Sequence, residues 1–366
     1  MMNKKTIIIS CGGTGGHIFP AIEIAQALFD LDNNLNILFI GALGRMEMKT
    51  VPKKGFPIIG LWIQGFYRTS IIKNILLPIK LLVSLMHALV LLLYYRPVAV
   101  IGTGGFASGP VLFIASLLKC KTYIQEQNSY PGLTNKLLSK RVDKIFVSND
   151  NMSNFFPCDK TINFGNPVRQ SLKKDLDVNF IKKSRSFFHL SDSKFTILII
   201  GGSLGAEPIN NAINNHLNVL MKQNYQLIWQ TGTQDYAKYL SLQSESCSIH
   251  KFIERMDLAY AASDLVISRA GAIAIAEISF LSKPSILVPS PHVTDNHQLE
   301  NAKYLKKNQA CMLVLEEDLM SDQLPHKIGS YRDHVIREKI GRNAYELFNY
   351  DAAYNISKSI LKDLKC

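Results

Sequence analysis

Short apolar runs recur along the 366-residue chain, and longer helix-like segments separate them. The runs that predict strands are TIIIS (6–10), NILFIG (36–41), VAVIG (98–102), TYIQE (122–126), KIFVS (144–148), FTILIIGG (195–202), QLIWQTG (226–232), DLVIS (264–268) and SILVPS (285–290). Most of these runs are continuously apolar rather than alternating, which is typical of strands that are covered on both faces. The alternation of strands with helices therefore predicts parallel sheets.

The pattern restarts near Gly165, and the chain is longer than one compact core usually holds. We predict an α/β protein with two Rossmann-like domains whose parallel sheets face a cleft. The first domain covers residues 1–164 and the second covers residues 165–345. The last segment, AYELFNYDAAYNISKSILKDL, predicts one helix that returns to the first domain over about 346–366.

Composition narrows the classes of partner. The chain has 41 basic and 29 acidic residues, a net charge of +12, which suits an anionic partner such as a nucleotide or a membrane surface. No recognised nucleic-acid-binding module accompanies the charge, so nucleic acid is not a predicted partner. The six cysteines form no Cys-x-x-Cys pair, which favours a reducing compartment over a disulfide or zinc framework.

Four glycine-rich turns share one design, in which an apolar strand leads into glycines and then into a helix. They are GGTGGH (12–17), GTGGFASGP (102–110), GGSLGA (201–206) and SRAGAIAIAE (268–277). Glycine lets backbone N–H groups approach a ligand, and a helix start adds unpaired N–H groups and partial positive charge, so each turn is a candidate phosphate site. A dinucleotide fingerprint fails because Ile18 stands where a third glycine is needed, and no turn has the Gly-Lys-Ser/Thr of a P-loop.

Seven segments in order resemble the MurG family of peptidoglycan N-acetylglucosaminyltransferases, which are GT-B glycosyltransferases. They are GGTGGHIFPAIEIAQAL, GTGGFASGP, QEQNSYPGLTNKLLSK, GNPVR, GGSLGA, RAGAIAIAEI and DNHQLENA. The resemblance implies transfer of N-acetylglucosamine from UDP-N-acetylglucosamine to the C4 hydroxyl of the muramoyl sugar of lipid I, with inversion, giving lipid II and UDP. A non-catalytic protein that binds a sugar nucleotide or a lipid on the same scaffold remains the alternative.

The resemblance also implies a donor site. In it, Arg169 and Ser203 contact the diphosphate, Ile253 offers backbone groups to uracil, and Glu277 binds the ribose hydroxyls. Ala272 and Ile273 contact the sugar and phosphate through their backbone, and Gln298 reads the sugar hydroxyls. His297 stands where the family often has glutamine.

Two residues are candidates for the general base that the acceptor hydroxyl needs. His17 ends the first glycine turn, and its ordinary pKa of about 6.5 suits proton uptake at neutral pH. Glu126 at a strand end is the rival, and a purely orienting role for His17 stays open. Around them, Asn128 would hold a sugar hydroxyl, and Thr14, Gly15 and Gly16 would bind the acceptor diphosphate.

Two residues near these candidates differ from the family pattern. Gln125 stands where a histidine is common, and Phe106 replaces a tyrosine, so any contribution from that hydroxyl is absent. No cofactor and no metal are predicted. The two Asp-x-Asp sequences, at 30–32 and 175–177, are expected to be solvated rather than to hold a metal.

The segment ILLPIKLLVSLMHALVLLLYY (75–95) is long enough to cross a bilayer, which takes about 20 residues. Pro78, Lys80 and His87 interrupt it, and the strand that follows should join the sheet of the first strand. We therefore favour a partly buried helix at the cytoplasmic face of the bacterial inner membrane over a span or a plain core helix. Basic residues flank the segment and could meet anionic lipids: Arg68, Lys73, Lys80 and Arg96.

Overall fold

The computed structural model describes residues 5–66, 72–150, 152–202, 204–293, 296–349 and 351–365. The chain divides into two compact units, Met1–Arg169 with Asn349–Cys366 and Gln170–Phe348. The sequence prediction placed the junctions at 164/165 and 345/346. GNPVR stays with the first unit because Gln125 Nε2 donates to Asn166 Oδ1 at 3.1 Å and Asn166 Nδ2 donates to the carbonyl of Gln127 at 2.9 Å.

The first unit is a doubly wound parallel sheet. Its elements up to the junction are β1 (Thr6–Ser10), α1 (Gly15–Leu31), β2 (Asn36–Ala42), α2 (Glu47–Lys53), β3 (Ile58–Leu61), α3 (Leu77–Tyr95), β4 (Ala99–Gly102), α4 (Ser108–Leu117), β5 (Lys121–Glu126), α5 (Leu133–Leu138), β6 (Lys144–Val147) and β7 (Thr161–Asn163). The strand order is β3-β2-β1-β4-β5-β6-β7, and every pairing is parallel. Side chains of β1 alternate between the two faces: Ile8 packs with residues of α3 and α4, and Ile7 and Ile9 pack with residues of α1.

The second unit repeats the design. Its elements are α6 (Val178–Phe187), β8 (Phe195–Ile200), α7 (Glu207–Lys222), β9 (Tyr225–Gln230), α8 (Gly232–Tyr239), β10 (Cys247–His250), α9 (Met256–Ala262), β11 (Leu265–Ser268), α10 (Ala272–Phe280), β12 (Ser285–Leu287), α11 (His297–Lys307), β13 (Met312–Leu313), α12 (Gln323–Ser330) and α13 (His334–Glu346). The strand order is β10-β9-β8-β11-β12-β13, again parallel throughout.

The prediction of two α/β domains with parallel sheets is confirmed, and all nine predicted strands are present, with β1 at its predicted bounds and the ends of the other eight shifted. Four strands escaped the sequence reading: β3, β7, β10 and β13. These four are the edges of the two sheets. An edge strand pairs on one side only and is short in many proteins, so its apolar signal is weak.

The prediction of one continuous C-terminal helix is wrong. α13 ends at Glu346 in the second unit, and a separate helix, α14 (Ala352–Asp363), belongs to the first unit. The apolar face of α14 joins the core beneath α1 through Ala352, Ile356 and Ile360, which are fully buried. A break is required because the chain leaves one compact unit for the other at this point.

Substitution of Ile356 by Ala should destabilise the first unit by about 2–4 kcal/mol, because it removes buried methyl groups and leaves a cavity against α1. Chemical denaturation followed by circular dichroism would measure the loss. The matched control is Tyr354→Ala on the same helix, whose side chain is 48% exposed and whose loss should cost under about 1 kcal/mol. Equal losses in the two variants would contradict the packing of α14 on α1.

Candidate active site

The first glycine turn lies between β1 and α1. Thr14 is the residue before the helix and has extended backbone angles (φ −141°, ψ 158°), and Gly15 and Gly16 form the first turn of α1. N–H groups at the start of a helix have no partners within the helix, and the helix dipole adds positive charge there. Thr14 and Gly16 are exposed to solvent. The turn can therefore accept an anion.

His17 follows this turn and is half-buried. Its Nδ1 lies 3.0 Å from the carbonyl oxygen of Gly12 and 3.4 Å from Thr14 Oγ1. A carbonyl oxygen can only accept, so the short contact places the proton on Nδ1. Nε2 of the neutral ring then carries a lone pair, which is the state that a general base needs.

The second glycine turn contacts the His17 ring. Gly104 has φ +101°, and a Cβ built there would lie 2.8 Å from His17 Cδ2. Thr103, at the end of β4, donates its hydroxyl to the carbonyl of His17 at 2.8 Å. The two turns of the first unit thus fix the ring and the backbone of His17 together, and this close approach requires glycine at position 104.

Glu126, the rival candidate for the general base, is buried and extensively hydrogen-bonded. Its carboxylate is 2% exposed and accepts four hydrogen bonds. The donors are the backbone N–H and Nδ2 of Asn128, the N–H of Gly132 and Nδ2 of Asn135, at 2.8–3.1 Å. The carboxylate therefore organises the loop between β5 and α5, and both of its oxygens already accept hydrogen bonds. Asn128 is half-buried in this loop.

Arg169 belongs to the first unit, although the sequence prediction assigned GNPVR to the second domain. Its guanidinium carbon lies 4.4 Å from the centre of the Phe19 ring on α1. This stacking holds the arginine beside the helix that opens with the first glycine turn. A planar guanidinium in this position can bind two oxygens of a phosphate group at once.

The glycine turn after β8 is held by a side chain from the next strand. Gln230, at the end of β9, donates Nε2 to the carbonyl of Gly202 at 2.8 Å. Its Oε1 accepts the N–H of Ile253 at 2.8 Å. Gln230 is 4% exposed, so it links two loops from below. Ile253 was expected to offer backbone groups to uracil, and its N–H is already donated to Gln230. Ser203, in the same glycine turn as Gly202, lies outside the described residues.

Glu277 and the start of α10 form a second cluster in this unit. Ala272 opens the helix and Ile273 follows with its side chain buried, so both can present only backbone to a ligand at the helix start. Glu277 lies further along α10, is 2% exposed and accepts the hydroxyl of Tyr260 at 3.1 Å. Tyr260 on α9 thus fixes the carboxylate, a contact that the sequence reading missed.

Gln298 is the second residue of α11 and is half-buried. Its Oε1 accepts the N–H of Ser290 at 3.0 Å, which orients the amide and directs Nε2 away from that contact. Arg269, in the loop before α10, pairs with Glu316 at 3.0 Å and also donates to the carbonyls of Val288 and Pro289. These bonds tie the α10 loop to the loop after β12.

The Asp-x-Asp sequences lie apart from the glycine turns. Asp30 and Asp32 lie at the end of α1, and Asp177 caps α6 through Oδ1. Asp175 and Asp177 line a cavity of about 360 Å³ between α6 and α9. Within the described part of the chain, no group of three or more His, Cys, Asp or Glu side chains is placed to hold a metal ion.

Two parallel α/β units with glycine turns at the carboxyl ends of their strands define a two-domain α/β protein whose turns are suited to phosphate groups. Models of the glycosyltransferase family 28 N-terminal and C-terminal domains match residues 7–147 and 196–355. The chain belongs to glycosyltransferase family 28. This membership confirms the family resemblance of the seven sequence segments.

Relatives match along the whole chain. The UDP-N-acetylglucosamine--N-acetylmuramyl-(pentapeptide) pyrophosphoryl-undecaprenol N-acetylglucosamine transferase of Flavobacterium psychrophilum is 44% identical over 99% of this chain and 98% of its own length. The transferase of the same name from Parabacteroides distasonis is 43% identical over 99% of each chain. The crystal structure of Acinetobacter baumannii MurG superimposes with a TM-score of 0.75 at 25% identity, covering 98% of this chain and 100% of the other.

Substitution of Gly104 by Ala should displace the His17 ring, because the new methyl group would lie 2.8 Å from Cδ2. The matched control is Gly55→Ala, which also has a positive φ, +85°, but has no atom within 4 Å of the built Cβ. Both variants carry backbone strain, and the steric clash should cost Gly104→Ala about 1–3 kcal/mol more. Thermal unfolding and the NMR shifts of the His17 ring would measure the difference. An unchanged His17 signal in Gly104→Ala would contradict the contact.

Proposed function

We propose that this chain transfers N-acetylglucosamine from UDP-N-acetylglucosamine to the C4 hydroxyl of the muramoyl sugar of undecaprenyl-diphosphate-linked lipid I. The products are lipid II and UDP, and the anomeric configuration inverts. The observation that carries the proposal is the full-length match to relatives named for this reaction. A purely binding role on the same scaffold is less favoured because the first unit supplies a histidine held in the form of a base.

His17 is the proposed general base. The acceptor hydroxyl gives its proton to Nε2 as its oxygen forms the bond to C1 of the donor sugar. The bond from C1 to the diphosphate oxygen breaks at the same time, and its electron pair leaves with UDP. A positioned base of this kind contributes about 10²–10⁴-fold in rate. Glu126 is not proposed for this step, because its four hydrogen bonds occupy both of its oxygens.

The departing diphosphate gains negative charge, which needs fixed positive partners. We assign this task to the N–H groups of the glycine turn that leads into α7, to Ser203 at the α-phosphate and to Arg169. Arg169 keeps its charge at any physiological pH, and its position against Phe19 limits the freedom it must lose on binding. Helix dipoles and a guanidinium can supply the charge stabilisation that other transferases obtain from a metal.

Donor recognition is assigned to the second unit. Glu277 binds the ribose hydroxyls, Ala272 and Ile273 contact the sugar and phosphate through the start of α10, and Gln298 uses its Nε2 for the sugar hydroxyls. For uracil, the carbonyl of Ile253 is the available group, since its N–H is donated to Gln230. Reading uracil with both groups would require Gln230 to release that N–H.

Acceptor recognition is assigned to the first unit. The N–H groups of Gly15 and Gly16, with the Thr14 hydroxyl, would bind the acceptor diphosphate at the start of α1. Asn128 would hold a sugar hydroxyl. Its Nδ2 donates to Glu126 at 3.1 Å, and its amide oxygen can accept a hydrogen bond from such a hydroxyl.

The membrane is the proposed source of the lipid acceptor, and α3 is the proposed contact. In the described part of the chain, α3 is the helix that is long and apolar enough to span a bilayer, and 22% of that stretch is buried. One face is exposed, formed by Ile79, Leu82, Met86, Val90 and Leu93. Exposed apolar side chains that adjoin one another on a helix mark an interaction surface.

A span is disfavoured because β3 precedes α3 and β4 follows it in one sheet. We therefore infer that α3 lies in the cytoplasmic leaflet of the inner membrane as a peripheral anchor, with anionic lipids as partners. Of the flanking basic residues, Arg96 is exposed and Lys80 donates to Gln64 at 2.6 Å. Arg68 lies outside the described residues, and Lys73 is in a short 3-10 turn, Ile72–Asn74.

Substitution of His17 by Gln should lower kcat by about 10²–10⁴-fold and leave the affinity for UDP unchanged, because the base is lost and the donor site is not. Release of UDP in the presence of a lipid I analogue would measure the rate, and calorimetry would measure UDP binding. Full activity of His17→Gln would contradict the assignment.

The paired variant Glu126→Gln separates the two candidate bases. It should lower the melting temperature, because two of the four accepted hydrogen bonds would then face an amide donor. A large loss of kcat in Glu126→Gln with an unchanged melting temperature would return the base role to Glu126.

Substitution of Leu82 by Glu should weaken binding to vesicles of anionic phospholipid by about tenfold or more, because a charge enters the face that is proposed to insert. Vesicle co-sedimentation would measure the change. Val335→Glu is the matched control, because Val335 is 71% exposed and belongs to the second unit, whereas α3 belongs to the first. Equal binding by Leu82→Glu and the unmodified protein would contradict the proposed membrane contact.

A further inference from the structure

Glu47 is a fully buried carboxylate that the reaction chemistry above does not use. It is the first residue of α2 and is 0% exposed. Its Oε1 accepts the N–H of Ala42 at 3.0 Å, and its Oε2 accepts the N–H of Gly13 at 3.2 Å. An ionised carboxylate is expensive to bury, so its presence beneath a glycine turn calls for an explanation.

The N–H of Gly13 and the carbonyl of Gly12 belong to one peptide group. The carbonyl accepts Nδ1–H of His17 at 3.0 Å, and the N–H of the same group donates to Glu47. The peptide is planar and conjugated, so charge at one end polarises the other. Glu47, the Gly12–Gly13 peptide and His17 therefore form one chain of hydrogen bonds.

The surroundings are shaped to this carboxylate. A Cβ built on Gly12 would lie 2.8 Å from Glu47 Oε1, and a Cβ built on Gly41 would lie 2.5 Å from Glu47 Cγ. Two glycines thus leave the space that the glutamate fills. Burial, and after it the charge of Glu47, raise the pKa of the neighbouring Cys11 thiol, so the electrostatic influence of the carboxylate extends along the turn.

We propose that Glu47 is a positioning residue that acts on His17 through the Gly12–Gly13 peptide. It fixes the carbonyl that selects the Nδ1–H tautomer, and its negative charge, passed through the polarised peptide, stabilises the imidazolium that forms when His17 takes the acceptor proton. The inference rests on the proposed role of His17 as the base. It adds a carboxylate that touches neither substrate nor ring.

Several contacts of this chain of hydrogen bonds are with neutral groups. Glu47 faces the N–H groups of Gly13 and Ala42 and the neutral thiol of Cys11. The His17 ring faces the Gly12 carbonyl, the Thr14 hydroxyl and the backbone of Gly104. These contacts are uncharged, and the Gly12–Gly13 peptide links the ring to the negative charge of Glu47.

The test is Glu47→Gln, which keeps the side-chain shape and an accepting oxygen but removes the charge. Loss of the charge should lower the pKa of His17 by about one unit. The acid limb of the kcat/KM profile should shift to lower pH by the same amount, and kcat should fall about three- to tenfold. The KM for the donor should stay unchanged. NMR of protein with ¹⁵N-labelled imidazole rings would give the pKa, with the His17 signal identified by its absence in His17→Gln.

Two further variants separate charge from shape. Glu47→Asp keeps the charge on a shorter side chain and should retain a His17 pKa closer to that of the unmodified protein. Glu23→Gln removes a charge from another buried position in the same unit and should leave the His17 pKa in place. A folded Glu47→Gln protein whose His17 pKa is unchanged would overturn the inference.

The NMR measurement of the His17 pKa does not depend on activity. The base role of His17 and the positioning role of Glu47 can therefore be contradicted independently. Full activity of His17→Gln would remove the base role, while an unmoved His17 pKa would remove only the role of Glu47. If Glu47→Gln does not fold, the exchange rate and chemical shift of the Gly13 amide proton in the unmodified protein provide the test. A proton that exchanges slowly and resonates downfield supports the bond to Glu47, and exchange as fast as in an exposed loop overturns it.

Discussion

The peptide group between Gly12 and Gly13 is the constraint on which the first unit depends. Its carbonyl sets the tautomer of His17, and its N–H is fixed by a buried carboxylate. The turn can take this shape because Gly13 has φ +91° and because Gly104 brings a second turn against the ring without a side chain. The remaining parts of the unit, from the parallel sheet to α14, hold the end of β1 where this turn begins.

Both units use the same device to hold their glycine turns. A buried polar side chain bonds to the backbone of one glycine turn in each unit: Glu47 at the turn after β1 and Gln230 at the turn after β8. The difference between them is chemical. A carboxylate beneath the proposed base can stabilise a positive ring, whereas the amide beneath the turn that leads into α7 is neutral.

The main elements of the fold, and His17 as a candidate site residue, could be predicted from the sequence. The central strands are long and continuously apolar, and glycines with polar residues at their ends mark the ligand side, so the fold and His17 were accessible. Edge strands were missed because half of each is unpaired. Glu47 was missed because a glutamate at a helix start has an ordinary explanation, and its contact with Gly13 spans 34 positions. The surroundings of Glu126 escaped sequence analysis for a related reason: only the loop conformation shows that four donors surround its carboxylate.

The most direct measurement of the central claim is the ¹⁵N NMR spectrum of the His17 ring in the unmodified protein at a pH above its pKa. The account predicts that Nδ1 carries the proton and that Nε2 is unprotonated, with the Nδ1 proton protected from exchange by the Gly12 carbonyl. A ring protonated at Nε2 instead would contradict the account, because neither the base role nor the path from Glu47 would then have the atom it requires.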